Sequence, residues 1–144
     1  MTLFTKFPKI DHSRLIAAIE RAEKGTSGEI RVAIARRKAK DPIAVARHHF
    51  ERLAMHRTAD RNGVLILIAP RSRNFAIIGD AGVHEKCGDV FWREVADAMA
   101  GYFKRSEFET GIIHGIERAG ALLGDHFPVR PGDRNELPND VEEV

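Results

Sequence analysis

Apolar residues along the chain alternate between helical and strand spacing, and polar or small residues mark each change. Leu15, Ala18, Ile19 and Ala22 share one helical face, with Asp11 or Ser13 as the cap and Gly25 as the stop. Ile30, Val32 and Ile34 then alternate with Arg31, Ala33 and Ala35, which predicts a strand over 30–35. Asp41-Pro42 has the cap-then-proline order that opens a helix, and its predicted buried face is Ile43, Ala46, Phe50, Leu53 and Ala54. Val64 to Ala69 is a continuous apolar run, as expected of a strand covered on both sides. Pro70-Arg71-Ser72-Arg73 turns the chain, and Asn74 to Ile78 returns it. Phe91, Val95, Ala98, Met99 and Tyr102 predict a third helix from about Asp89. Ser106-Glu107-Phe108-Glu109 has the form of a capping box opening a fourth, with Phe108, Ile112, Ile116, Ala119 and Leu123 at core spacing. From Pro128 onward periodicity stops and the charge is mostly acidic, so 129–144 is expected to be a disordered tail.

The order helix, strand, helix, strand, strand, helix, helix predicts a fold class. The segment between the first two strands is long enough for a right-handed parallel crossover, and the second and third strands form an antiparallel hairpin. The expectation is an α/β fold, a three-layer αβα Rossmann-like sandwich around a small mixed β-sheet, in one domain spanning 1–128.

That topology gathers polar residues at the hairpin's open end. Antiparallel pairing about the 70–73 turn places Gly63 opposite Asp80, so Asp60, Asn62 and Asp80 converge beside the loop Gly79 to Gly88. Parallel pairing of the first two strands adds Glu29 to the same rim. Carboxylate, amide and carbonyl oxygens, with Glu85 nearby, are the ligands that Ca²⁺ or Mg²⁺ prefers. Arg61 and the loop glycines suit phosphate instead, and plain turn chemistry uses the same residues. Asp60, Arg61, Asp80 and His84 are the candidate catalytic groups. The rim itself is unconventional, because open α/β sheets bind ligands beyond the carboxyl ends of their parallel strands.

Composition narrows the alternatives. With 23 basic residues against 21 acidic ones, closely interleaved, the chain offers no broad nucleic-acid footprint. The run Arg36-Arg37-Lys38-Ala39-Lys40 lacks interleaved aromatics and reads as a solvated loop. The single cysteine, Cys87, excludes an internal disulfide and a thiolate zinc cage, and reads as a packed side chain although Lys86 and a nearby helix start favour its thiolate. His49 and His56 are seven apart, too far for a compact ligand pair, and border the core instead. The amino-terminal residues do not form a secretion signal, and the longest apolar run falls far short of the roughly 20 residues that span a bilayer. A cytoplasmic location is the expectation, with no membrane span.

Four segments together resemble one known family. Thr26 to Val32, Arg61 to Ala69, and Phe75 to Lys86 are similar, in order, to motifs of the TPM-domain family, as is Gly124-Asp125-His126-Phe127-Pro128. The resemblance covers about residues 10 to 128. It implies the Rossmann-like αβα sandwich. From plant thylakoid relatives it implies weak acid-phosphatase activity and a part in photosystem II repair, and from some bacterial relatives divalent-cation binding. The motif positions carried over are Glu29, Asp60, Asn62, Asp80, Gly82 and Glu85, and the expected metal ligands are Glu29, Asp60, Asn62, Asp80 and Glu85. The resulting expectation is a cytoplasmic TPM-type domain that binds Ca²⁺ or Mg²⁺ at its rim and hydrolyses phosphomonoesters weakly. The alternative is a non-catalytic accessory module for an unidentified protein partner.

Overall fold

The computed structural model describes residues 10–129 and 141–144. Helix α1 (His12–Glu23) leads to strand β1 (Glu29–Ile34), helix α2 (Pro42–Arg52), strand β2 (Gly63–Ala69) and strand β3 (Asn74–Gly79). Helices α3 (Ala81–Lys104) and α4 (Phe108–His126) follow, and a short strand β4 (Val141–Glu143) completes the sheet. Strand order is β3-β2-β1-β4. β1 runs parallel to β2, with Glu29 level with Gly63, and β3 returns antiparallel to β2.

Side-chain alternation divides the core into two layers. Ile30, Val32, Val64, Ile66 and Ile68 pack with Leu15, Ile19, Phe91, Val95, Met99, Ile112 and Ile116 from α1, α3 and α4. On the opposite face Ala33, Leu65, Leu67 and Ala76 pack with Ala46, Phe50 and Met55 from and just beyond α2. Both faces of β2 are therefore covered, and its seven residues are all buried. The α/β sandwich with a small mixed sheet is present as expected.

Four local expectations differ from the structure. Residues 141–143, read as part of a tail, pair parallel to β1 from Val32 onward, and Val141 is buried. The pairing rests on backbone hydrogen bonds and on ion pairs of Glu142 and Glu143, which leave no periodic signature; residues 130–140 of the same tail lie outside the described residues. The segment 81–87, read as a loop, is helical and capped by Asp80, and the predicted start near Asp89 follows a break at Gly88, whose φ is 70°. Only glycine takes that backbone conformation without cost. The capping box is not formed. Ser106 has φ 59° and ends α3, donating its amide to the Phe103 carbonyl while Glu107 donates to Tyr102, the double bond of a Schellman turn. Glu109 is taken by α1, accepting from the Asp11 amide at 2.8 Å and pairing with Arg14 at 2.7 Å. Ile43, assigned to the buried face of α2, is exposed.

Candidate functional site

The rim is assembled at the amino ends of β1 and β2. Asp80 follows β3 directly, and its amide donates to the Gly63 carbonyl at 3.0 Å, so the predicted register holds. Arg61, at φ 50°, lies in the left-handed region and closes the turn that begins at Thr58. From there its guanidinium grips Asp80 in a fork, Nε to Oδ2 at 2.6 Å and Nη2 to Oδ1 at 2.7 Å. Asp80 Oδ1 also accepts from the Ala81 amide at 2.7 Å, the cap of α3. Asp80 is buried, while the Arg61 side chain is 54% exposed. The carboxylate holds the Arg61 guanidinium above its usual pKa, first through the hydrogen bond and then through charge. The first turn of α3 sits directly on the 60–61 backbone: Gly82 donates to the Arg61 carbonyl at 2.9 Å, and any Cβ there would press on the Asp60 and Arg61 carbonyl oxygens.

Asn62 is the innermost polar group. It is 1% exposed, its amide donates to Thr58 Oγ1 at 3.1 Å, and its carbonyl accepts from Glu29 at 3.4 Å. Its side-chain nitrogen lies 3.4 Å from Ser27 Oγ. Its side-chain oxygen, Oδ1, is buried with no hydrogen-bond partner. Such an atom is costly unless something else satisfies it. The 26–28 turn beside it is fixed to the end of α4: Thr26 Oγ1 donates to the Phe127 carbonyl at 2.6 Å, and the Ser27 amide donates to the same oxygen at 2.8 Å.

A sequence profile of the TPM domain matches residues 7–122. The chain is a member of the TPM-domain family. The NMR structure of BA42 protein from the psychrophilic bacterium Bizionia argentinensis is similar at 36% identity, with a TM-score of 0.89 over 96% of this chain and 99% of that one. The N-terminal domain of cg2496 protein from Corynebacterium glutamicum shares the fold at 15% identity, TM-score 0.62, over 94% of this chain and 82% of that one. The N-terminal domain of a protein from P. gingivalis does so at 14% identity, TM-score 0.63, over 79% and 76%. A search of curated proteins finds no match.

In this TPM domain the expected ligands share a rim without forming a cage. Among the described residues, no three His, Cys, Asp or Glu side chains are grouped to hold a metal. Asp80 is engaged by Arg61, and Glu85 is exposed on α3. Glu29 is buried beside Glu23, a residue that sequence reasoning missed. Because β4 pairs with β1 only from Val32, the Ile30 amide on that edge is unclaimed by a strand, and Glu23 Oε2 accepts it at 2.7 Å. Burial, with Glu29 and Glu20 adding negative charge, pushes the Glu23 carboxyl up to about 8. The available signal was the short 25–28 turn, which returns the chain so that the end of α1 adjoins the start of β1.

His84 is exposed, with its ring tilted against Trp92 at 4.9 Å. His49 Nδ1 accepts from Arg52 at 3.0 Å, and burial and neighbouring Arg52 and His48 lower its pKa. Cys87 is half-buried and packs against the core as expected, and burial and Asp125 raise its pKa against the opposing effect of Lys86. No helix among the described residues is long and apolar enough to cross a membrane.

Proposed function

We propose that this TPM domain binds a hydrated divalent cation, Ca²⁺ or Mg²⁺, at the rim formed by Asn62, Asp80 and the 60–61 turn. The buried, unpartnered Oδ1 of Asn62 carries the reading. The neighbouring donors are oxygens, the set that hard cations prefer. One amide oxygen and one carboxylate make a weak, water-rich site, so occupancy belongs at millimolar cation. Arg61, exposed and single-sided in its grip, swings out when Asp80 turns to the ion. Glu29 and Glu85 have no first claim on it, since one is buried against Glu23 and the other exposed on α3.

Slow phosphomonoester hydrolysis follows from the same arrangement. The bound cation would polarise a phosphoryl oxygen. The released Arg61 steadies the phosphate by a bidentate contact, and Asp60 or Asp80 orients the attacking water. The second reading is a non-catalytic accessory module, favoured by the engagement of both Asp80 oxygens in purely architectural bonds.

Titration with Ca²⁺ and Mg²⁺ followed by NMR separates the readings. The cation reading expects amide shifts at 58–63 and 79–88, a raised melting temperature, and loss of both in Asn62→Ala. Absence of any shift at millimolar cation overturns it. Asp80→Asn is expected to abolish hydrolysis of a generic phosphomonoester while the domain stays folded; surviving activity assigns the hydrolysis elsewhere.

A further inference from the structure

The opposite end of the sheet has a different chemistry. The β1–α2 connection carries Arg36, Arg37, Lys38 and Lys40, and the β2–β3 turn carries Arg71 and Arg73, all six exposed. The two connections are fixed to each other. Ala39 donates its amide to Ser72 Oγ at 3.0 Å, and its carbonyl accepts from Asn74 Nδ2 at 2.8 Å. Ser72 Oγ completes the lock by donating to Asn74 Oδ1 at 2.9 Å. Lys38 and Lys40 flank Ala39 in the chain, and Arg71 and Arg73 flank Ser72. Neighbouring Cα atoms are about 3.8 Å apart, so this lock brings the four cations onto one small surface. Among the described residues two acidic side chains stand close by in the chain or in space, and the Val144 backbone oxygen accepts from the Arg36 amide at 2.8 Å. Asp41 is occupied capping α2 through the Ala44 amide, and Glu143 lies 3.8 Å from Arg36 and 3.6 Å from His12. Arg36 is thus partly offset, and Arg37, Lys38, Lys40 and Arg71 supply the excess.

One apolar residue adjoins this surface. Ile43, in the first turn of α2, is 49% exposed, one of three large hydrophobic side chains exposed among the described residues. Cations around a protruding aliphatic side chain match the boundary of a bilayer, where phosphates meet acyl chains. Nucleic acid fits less well, because no aromatic side chain stands in 36–43 or 70–74 to stack on a base and Ile43 gains nothing from a phosphate backbone.

We propose that the carboxyl end of the sheet, formed by 36–43 and 71–73, docks peripherally on an anionic phospholipid surface. Strands of six or seven residues hold this end about 20 Å from the Asn62–Asp80 rim, so the two sites act independently.

Co-sedimentation of the full chain with vesicles of equal parts phosphatidylglycerol and phosphatidylcholine tests this. Expected are binding to these vesicles, none to pure phosphatidylcholine, and loss in high salt. Each reversed cation should weaken partitioning about fivefold or more. The exposed substitutions Lys38→Glu and Arg71→Glu together should therefore abolish it while leaving thermal unfolding unchanged, and Ile43→Ser should weaken it without altering charge. Failure to bind the anionic vesicles overturns the proposal, as does binding that survives the double reversal or high salt. Binding of duplex DNA without binding of vesicles would overturn it and assign the surface to nucleic acid.

Discussion

Arg61 and Asp80 form a two-point fork, with both guanidinium–carboxylate distances below 2.8 Å, that joins the turn before β2 to the cap of α3. Asp80 serves two partners at once, so its substitutions separate them. Asn keeps a cap-forming oxygen and loses the charged fork, whereas Ala loses both. Losing the cap alone costs about 1 kcal/mol, so Asp80→Ala is expected to destabilise by that much more than Asp80→Asn. Urea unfolding of the two variants measures the difference, and equal midpoints would show that Asp80 does not cap α3 in solution.

Glu23 gives the fold a pH dependence of unusual sign for a carboxylate. Its pKa is raised from 4.5 in the unfolded chain to about 8 in the folded one. Below 4.5 both states are protonated and the stabilising contribution is complete. Between 4.5 and 8 the unfolded chain releases the proton while the folded chain retains it, so stability falls as pH rises, levelling off above 8. Glu23→Gln mimics the protonated acid, with its amide oxygen available to Ile30 and its NH₂ to Glu29. Thermal melts from pH 5 to 9 should show the wild type declining and Glu23→Gln nearly flat, the variant being the more stable at pH 8 by more than about 1 kcal/mol. A wild-type curve that rises across this range would mean that Glu23 ionises normally.

Gly79 marks a close approach that fluorescence can follow. A Cβ there would meet the Trp92 indole, and Trp92 is the chain's single tryptophan. Gly79→Ala is therefore expected to displace the ring, changing its emission, and to cost about 1–3 kcal/mol through overpacking. Unchanged emission and an unchanged melt would indicate that the ring already lies away from β3.

The parts of the fold legible in the sequence are those written in periodic apolar positions. The β2 run, the Asp41-Pro42 start of α2 and the register that sets Gly63 beside Asp80 were all readable, because alternation and turn residues determine them locally. The rim location followed from strand direction. The details that escaped depend on contacts distant in sequence. Glu109 forms no capping box because Asp11 and Arg14, nearly a hundred residues away, claim its oxygens. Asp80 is not an open ligand because Arg61 reaches it, and Glu23 enters only through the edge of β1 that β4 leaves unpaired. Two-residue motifs contain none of this information. The basic surface escaped for a related reason: 36–40 and 71–73 are separate runs until Ser72 and Asn74 join them.

Strand β4 is held by charge as well as by its backbone. Arg31 is 5% exposed, and its guanidinium reaches Glu142 at 3.0 Å, leaving Nε buried without a partner. Removing the carboxylate strands a buried cation, while removing both groups does not. Glu142→Gln should therefore destabilise by about 1.5–3 kcal/mol, the range for a hydrogen bond to a charged group. Adding Arg31→Met should recover most of that loss, because an apolar side chain of similar length needs no counter-charge. A double-mutant cycle by chemical denaturation reads both terms, with hydrogen exchange at the Ile34 and Val144 amides reporting on the strand itself. Val144 donates to the Ile34 carbonyl at 2.9 Å, so its protection should fall in the single variant and return in the double. If Glu142→Gln leaves both stability and protection unchanged, the backbone ladder alone holds β4.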